Sequence, residues 1–294
     1  MTKREATRYH LTTVIPISKG ADLFVFRALA SGSSGNAFLL RTERSTLLFE
    51  AGLRWNTLEK HLRAEGISPG QLSAVLISHE HRDHCQAAGD LTARYGTPIF
   101  ANEKVLRATG LHSEKAAAIL EVGKSHRFGD VDVTSFAVSH DSVCPVGFII
   151  RVGDRTITLA TDLGIPNQEV QDAVNLADLV VLESNHDPDM LRQSRYPSQL
   201  RQRVAGPQGH LSNTQAAGIL VKHVKHEAVE VWLAHLSKEN NTPSLALRTV
   251  QRSLKAAGLG AVGVAVAQRD KPSVRWNGVP RPRQLALFVG EAGN

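Results

Sequence analysis

His79, His81, Asp83 and His84 fall within six residues at H-x-H-x-D-H spacing. Imidazole and carboxylate groups are ligands for a borderline divalent ion, and zinc, manganese and iron suit them alike. The apolar run Ala74-Val75-Leu76-Ile77 leads up to them and predicts a short buried strand. The four ligand-type residues therefore belong to the loop leaving a strand. There a sheet can hold the backbone while the side chains face solvent.

Three later residues repeat the arrangement of strand followed by ligand. His140 closes Phe136-Ala137-Val138-Ser139, Asp162 closes Ile157-Thr158-Leu159-Ala160-Thr161, and His235 closes Val229-Glu230-Val231-Trp232-Leu233-Ala234. A composite site at one sheet edge needs this pattern. Spacing and order together resemble the signature of the metallo-β-lactamase fold, over roughly residues 22 to 268. The resemblance implies an αββα sandwich, two mixed β-sheets flanked by helices. It also implies two divalent metal ions. One would be held by His79, His81 and His140, the other by Asp83, His84 and His235, with Asp162 bridging both. A water between two such cations loses a proton near neutral pH. The hydroxide would attack phosphorus or a carbonyl carbon. One position departs from the family pattern. The family usually ends an early strand on an aspartate that orients a metal ligand, whereas Leu47-Leu48-Phe49-Glu50 ends on a glutamate. Glu50 is one methylene longer and is expected to hydrogen-bond a ligand histidine.

Gly209-His210-Leu211-Ser212-Asn213 is a second chemical element. Ser212 and Gln215 form an S-x-x-Q capping box that predicts a helix from Asn213 to about His223. His210 precedes its N-terminus, where free N–H groups favour an anion. It is a candidate to contact a phosphate or to protonate a leaving alkoxide. Asp83 and His210 are thus the catalytic candidates, and Ser212 and Asn213 are expected to meet substrate. In Glu183-Ser184-Asn185-His186-Asp187-Pro188, Asp187 caps a short helix and His186 is expected to line the cleft. Ser31-Gly32-Ser33-Ser34-Gly35-Asn36 reads as a flexible hairpin turn, since no Gly-Lys-Ser/Thr follows it. These three stretches resemble the YycJ-like (WalJ-type) branch. That branch implies a metal-dependent phosphodiesterase acting as an exonuclease on double-stranded DNA from the 5′ end.

Charge supports a polyanionic substrate. The chain has 34 Lys and Arg against 28 Asp and Glu. Met190 to His226 contains no acid but six bases: Arg192, Arg195, Arg201, Arg203, Lys222 and Lys225. The remainder is then balanced, 34 − 6 = 28 against 28. Arg201 and Arg203 are the expected DNA contacts. A second cluster, Arg269, Lys271, Arg275, Arg281 and Arg283, is opposed only by Asp270. Taken alone, a charge run is a solvated face; beside a metal site it suits nucleic acid.

The elements needed to position these groups are legible. Strands are expected at Leu23–Ala30, Ala37–Arg41, Thr46–Ala51 and Leu179–Glu183. Helices are expected at Trp55–Glu65, Cys85–Tyr95 and Asn167–Asn175, and from Thr242-Pro243 to about Ala257. Residues 1–20 read as a leader and 21–294 as a single domain. No stretch approaches the length of a membrane helix, and Met1 to Tyr9 lacks a signal-peptide apolar segment. Cys85 and Cys144 read as buried small residues in a reducing compartment, so a cytoplasmic protein is expected. The competing readings are a small-molecule metallo-hydrolase (a glyoxalase-type thioesterase or a cyclic phosphodiesterase), an iron protein on the same fold, and a nucleic-acid-binding module with a structural metal. An iron protein would typically alter the ligand set, and a structural zinc site would be closed and four-coordinate.

Overall fold

Two seven-stranded sheets face each other across an aromatic core. The computed structural model describes residues 24–279. The expected leader, and Arg281 and Arg283, lie outside the described residues. The first sheet contains β1 (Val25–Ala30), β2 (Ala37–Arg41), β3 (Thr46–Phe49), β4 (Ala74–Leu76), β5 (Ile99–Ala101) and β6 (Ala117–Ile119). The second contains β7 (Ser125–Phe128), β8 (Val131–Ala137), β9 (Val146–Val152), β10 (Arg155–Ala160), β11 (Leu179–Glu183), β12 (Glu230–Ala234) and β13 (Gly263–Val266). β14 (Arg275–Trp276) returns to pair with β1 at the edge of the first sheet. Both sheets are mixed. β3 through β6 run parallel, as do β10 through β13, and hairpins complete each sheet. The hairpin joining β9 to β10 turns on Gly153-Asp154, with Gly153 at φ +59°, a conformation that glycine adopts without penalty.

Nine helices occur among the described residues. On the first sheet lie α1 (Trp55–Ala64), α2 (Arg82–Cys85), α3 (Ala88–Tyr95) and α4 (Glu103–Ala108). On the second lie α5 (Gln168–Leu176), α8 (Asn213–His223) and α9 (Pro243–Ala256), while α6 (Pro188–Gln193) and α7 (Ser198–Ala205) belong to the connection from β11 to α8. Three apolar clusters account for the layers. Phe24, Phe26, Phe38, Phe49, Phe148 and Trp232 fill the space between the sheets. Leu58, Leu62, Leu91 and Val105 carry α1, α3 and α4 onto the first sheet. Val170, Ala216, Leu220 and Val250 carry α5, α8 and α9 onto the second. Each fully buried Leu, Val or Phe contributes about 1.5–3 kcal/mol of transfer free energy. This is the αββα sandwich that the family resemblance implied. β11 shows why: all five of its residues are buried, as a continuous apolar run must be when sheet neighbours and helices cover both faces.

Two elements differ from expectation. The helix expected over Cys85–Tyr95 is broken between α2 and α3. The Ala87 N–H donates to the Ala51 carbonyl and the Ala51 N–H to the His84 carbonyl, so a loop of the first sheet takes groups the helix would have used. α7 gave no periodic signal because none of its residues is buried. No helix of the described residues is long and apolar enough to cross a membrane.

Candidate metal centre

All the ligand-type residues emerge at one edge. Glu50 follows β3, and His79 to His84 follow the parallel β4. His140 follows β8, Asp162 follows β10, Glu183 ends β11 and His235 follows β12. Glu50, Asp162 and His235 are the described non-glycine residues with positive φ, at +65°, +56° and +52°. Each sits one or two residues past a strand end, where the left-handed step re-aims the side chain. Such backbone costs of order 1–3 kcal/mol and persists only where the surroundings hold it. The ligand loop is also held from below. A Cβ on Gly52 would lie 1.6 Å from the Asp83 carbonyl oxygen, so only glycine lets the two segments meet. Glu80 ties the loop to the residues after His140, accepting from the Ser142 hydroxyl at 2.6 Å and the Val143 N–H at 3.1 Å.

Four histidines share one arrangement. His79 Nδ1 lies 2.8 Å from Ser78 Oγ, and His84 Nδ1 lies 3.3 Å from Glu50 Oε2. His140 Nδ1 lies 3.0 Å from the Gly209 carbonyl, and His235 Nδ1 lies 2.9 Å from Glu183 Oε1. Nδ1 is engaged from outside in every case, which fixes ring orientation and leaves Nε2 as the inward nitrogen. Glu50 therefore does hydrogen-bond a ligand-type histidine. Inside, His81 Nδ1 lies 3.3 Å from His140 Nε2. Two nitrogens each about 2.0–2.1 Å from a tetrahedral ion stand roughly 3.3 Å apart. The donor atoms of His79, His81 and His140 lie within 4.8 Å of one another, as do those of Asp83, His84 and His235. Asp162 stands between the two sets, with Oδ2 at 2.9 Å from His84 Nε2 and Oδ1 at 3.8 Å from His140 Nε2.

The donors fit divalent cations. His79 Nε2, His235 Nε2 and Asp162 Oδ2 are buried without a hydrogen-bond partner. Native interiors rarely leave such atoms unpaired, and all three face the same space. Asp162 Oδ2 is close to His84 Nε2 yet not aligned with it as a hydrogen bond. The charges agree. Burial opposes ionisation of Asp162, but His235 and His84 outweigh it and hold the carboxyl well below its usual range. Burial, with His84 beside it, pushes His79 well below 6.5, which favours the neutral ring that binds metal.

Glu183 is the functional residue the sequence reading missed. It is fully buried. Its Oε1 accepts from both His210 Nδ1, at 2.8 Å, and His235 Nδ1. Its Oε2 accepts from the Leu163 and Leu211 N–H groups, each at 3.0 Å. Burial resists its charge, but His210 and the hydrogen bonds overcome this and lower it to about 2. The signal was present: Leu179-Val180-Val181-Leu182 ends on an acid, just as the other strands end on ligands. His210 lies in the centre itself, its ring 5.1 Å from that of His140 and 5.3 Å from that of His235. Burial opposes its proton, yet Glu183 raises its pKa above 6.5. Glu183 engages Nδ1, which leaves Nε2 as the ring's other nitrogen.

Ser212 and Asn213, two of the expected substrate contacts, are engaged elsewhere. Asn213 is fully buried, accepting from Ser184 Oγ at 2.6 Å and exchanging hydrogen bonds with Asn241. Ser212 is 4 % exposed and caps α8, its Oγ accepting from the Gln215 N–H. Both serve the helix entry rather than the cleft. His186 is 3 % exposed, its backbone bridged to that of Ser212. Arg201 donates to the Ser194 and Tyr196 carbonyls of its own segment. Arg203 pairs with Asp141, whose Oδ1 lies 3.3 Å from His140 Nε2, so it stands at the edge of the centre. The Ser31–Asn36 turn is not a free hairpin. Asn36 is buried with Nδ2 at 3.0 Å from His84 Nε2, and Ser31 Oγ accepts from the His235 N–H. Cys85 is half-buried and free, and burial pushes its thiol up to about 11, consistent with a packing role.

His186 makes the fold sensitive to acid. Burial lowers it from 6.5 to about 4 against the pull of Glu183. Between those values the unfolded chain binds the proton and the folded one does not. The contribution is therefore present above about 6.5 and lost as pH falls toward about 4, up to about 3 kcal/mol. Urea unfolding of metal-free protein across this window is expected to give a flatter pH dependence for His186→Gln than for the wild type. Identical slopes would sink the assignment.

Residues 46–235, from β3 to the last histidine of the centre, match the family described as the Beta-lactamase superfamily domain. An exodeoxyribonuclease WalJ of Streptococcus pneumoniae is 39% identical over 247 residues, 82% of this chain and 91% of that protein. An exodeoxyribonuclease YycJ of Bacillus anthracis is 35% identical over 249 residues, 83% of this chain and 94% of that protein. Among solved structures, the metallo-β-lactamase fold protein YhfI of Bacillus subtilis superposes with a TM-score of 0.66 at 18% identity, covering 86% of this chain and 99% of that one. The last likeness is one of fold.

Proposed function

The chain belongs to the β-lactamase superfamily, in the group of the WalJ and YycJ proteins, and on that premise we propose that it is a dinuclear metal-dependent phosphodiesterase that shortens double-stranded DNA from the 5′ end. The observation that carries the reading is the set of four histidines pinned at Nδ1, with their second nitrogens converging around Asp162. His79, His81 and His140 would hold one ion and Asp83, His84 and His235 the other, with Asp162 shared. Bound there, divalent ions supply Lewis-acid polarisation of the phosphoryl group and a water acidic enough to act near neutral pH. Zinc or manganese satisfies this donor set. We assign residues 21–294 to one catalytic domain.

The remaining chemistry belongs to the protein. Glu183 holds His210 by Nδ1, so its Nε2 proton can pass to the alkoxide that departs as the phosphodiester breaks. The raised pKa of His210 keeps that proton available near neutrality. Asp83 Oδ2 lies 3.4 Å from His235 Nε2, and a carboxylate at that position would orient the attacking water.

A 5′-end-labelled duplex tests the reading. Metal-loaded protein is expected to release labelled mononucleotide early, and chelation is expected to abolish release until metal is returned. No release with metals confirmed bound would overturn it in favour of a small-molecule hydrolase, to be sought among thioesters and cyclic phosphodiesters.

A further inference from the structure

We propose that the cavity beside Asp83 seats the 5′-terminal phosphate monoester of the strand being shortened, an inference that rests on the nuclease reading above. The cavity has a volume of about 480 Å³, within the range of sites that enclose small ligands, roughly 300–1,000 Å³. Its walls include Ser33, Ser34, Arg54, Arg82, Asp83 and Asp270. Asp83 is common to the cavity and the metal centre, so a group seated here is a close neighbour of the reacting phosphate.

The cationic side chains are available. Eight other arginines form ion pairs. Arg54 and Arg82 have no side-chain partner among the described residues. Both are exposed and line the same space. A terminal phosphate carries about −1.5 to −2 charges at pH 7 and three strong acceptor oxygens. Two guanidinium forks and two serine hydroxyls match that charge and hydrogen-bonding capacity. An internal diester, with one charge, would use half of it. Asp83 faces His235 and His84, leaving Asp270 as the wall's other carboxylate. Its sign makes it a counter-test. Seating the chain end beside the centre also confines cutting to the terminal linkage, which is what distinguishes an exonuclease from an endonuclease.

Two duplexes of one sequence, 5′-phosphoryl and 5′-hydroxyl, labelled at the 3′ end, test the proposal. Binding to metal-free protein is read by fluorescence anisotropy, and digestion by metal-loaded protein as kcat/KM. The wild type is expected to favour the phosphoryl end at least about tenfold in both, the scale of a single charge-assisted hydrogen bond. Arg54→Gln should lower the phosphoryl values and leave the hydroxyl values unchanged. Arg54→Gln with Arg82→Gln should bring the ratio to about one at unchanged metal content, and Asp270→Asn should raise it. Equal wild-type values for the two ends overturn the subsite. Failure to digest either duplex with metal bound overturns the nuclease reading instead. The anisotropy ratio then still decides the subsite: about ten or more retains it, about one removes it.

Discussion

Asp162→Ala is expected to lose bound metal and to cut nuclease activity by about 10³-fold or more, the scale set by removing a group that stabilises transition-state charge. The carboxylate is 2 % exposed and stands between the two histidine sets. Its Oδ1 also reaches His235 Nδ1 at 3.2 Å and His210 Nδ1 at 3.4 Å. Alanine removes a side chain that meets His84, His140, His210 and His235. Asp162→Asn keeps the volume and one acceptor but not the charge, and is expected to retain more metal than Asp162→Ala. Elemental analysis of the purified variants and the end-labelled duplex assay measure both effects. Full metal content with full activity in Asp162→Ala would refute the shared role.

Glu183→Gln is expected to separate positioning from ligation. The wild-type carboxylate accepts four hydrogen bonds, two from imidazoles and two from backbone N–H groups. A glutamine offers one oxygen and one NH₂, so a donor must face a donor on one side. Metal affinity should fall about 10–100-fold through His235, the usual cost of losing a carboxylate behind a ligand histidine. The rate should fall about 10²–10⁴-fold through His210, even with metal restored. The pH profile carries the sign. Glu183 raises the His210 pKa, so its loss lowers that pKa. The alkaline limb of kcat, which needs the protonated ring, should move to lower pH. A merely structural Glu183 would reduce folded protein without moving that limb. Acid stability should change too. The Glu183 pKa is depressed from 4.5 to about 2, so its contribution is present above about 4.5 and lost as pH falls toward 2.

The histidine positions were legible because each ligand-type residue or cluster follows an apolar strand, a relation between neighbours in the chain. The same is true of the S-x-x-Q box at Ser212 and the Thr242-Pro243 entry of α9, both of which form as expected. Asn213 was misread for a physical reason. A polar residue beside a catalytic element looks the same in sequence whether it faces substrate or pairs with Asn241, 28 positions away. Glu183 was overlooked because its meaning lies in His210 and His235, which are 27 and 52 positions distant.

By itself, the sequence determined which residues can bind metal and which segments are strands, since these follow from residue type and local periodicity, and its resemblance to the metallo-β-lactamase fold implied the αββα order. The tertiary structure alone decided which nitrogen of each histidine faces inward, that Glu183 orients two of them, and that the Ser31–Asn36 turn braces the centre. It also decided that Arg54 and Arg82, 28 positions apart in the chain, share one wall beside Asp83. These are contacts across strand order, and strand order is set by burial of the whole core rather than by any local stretch of chain.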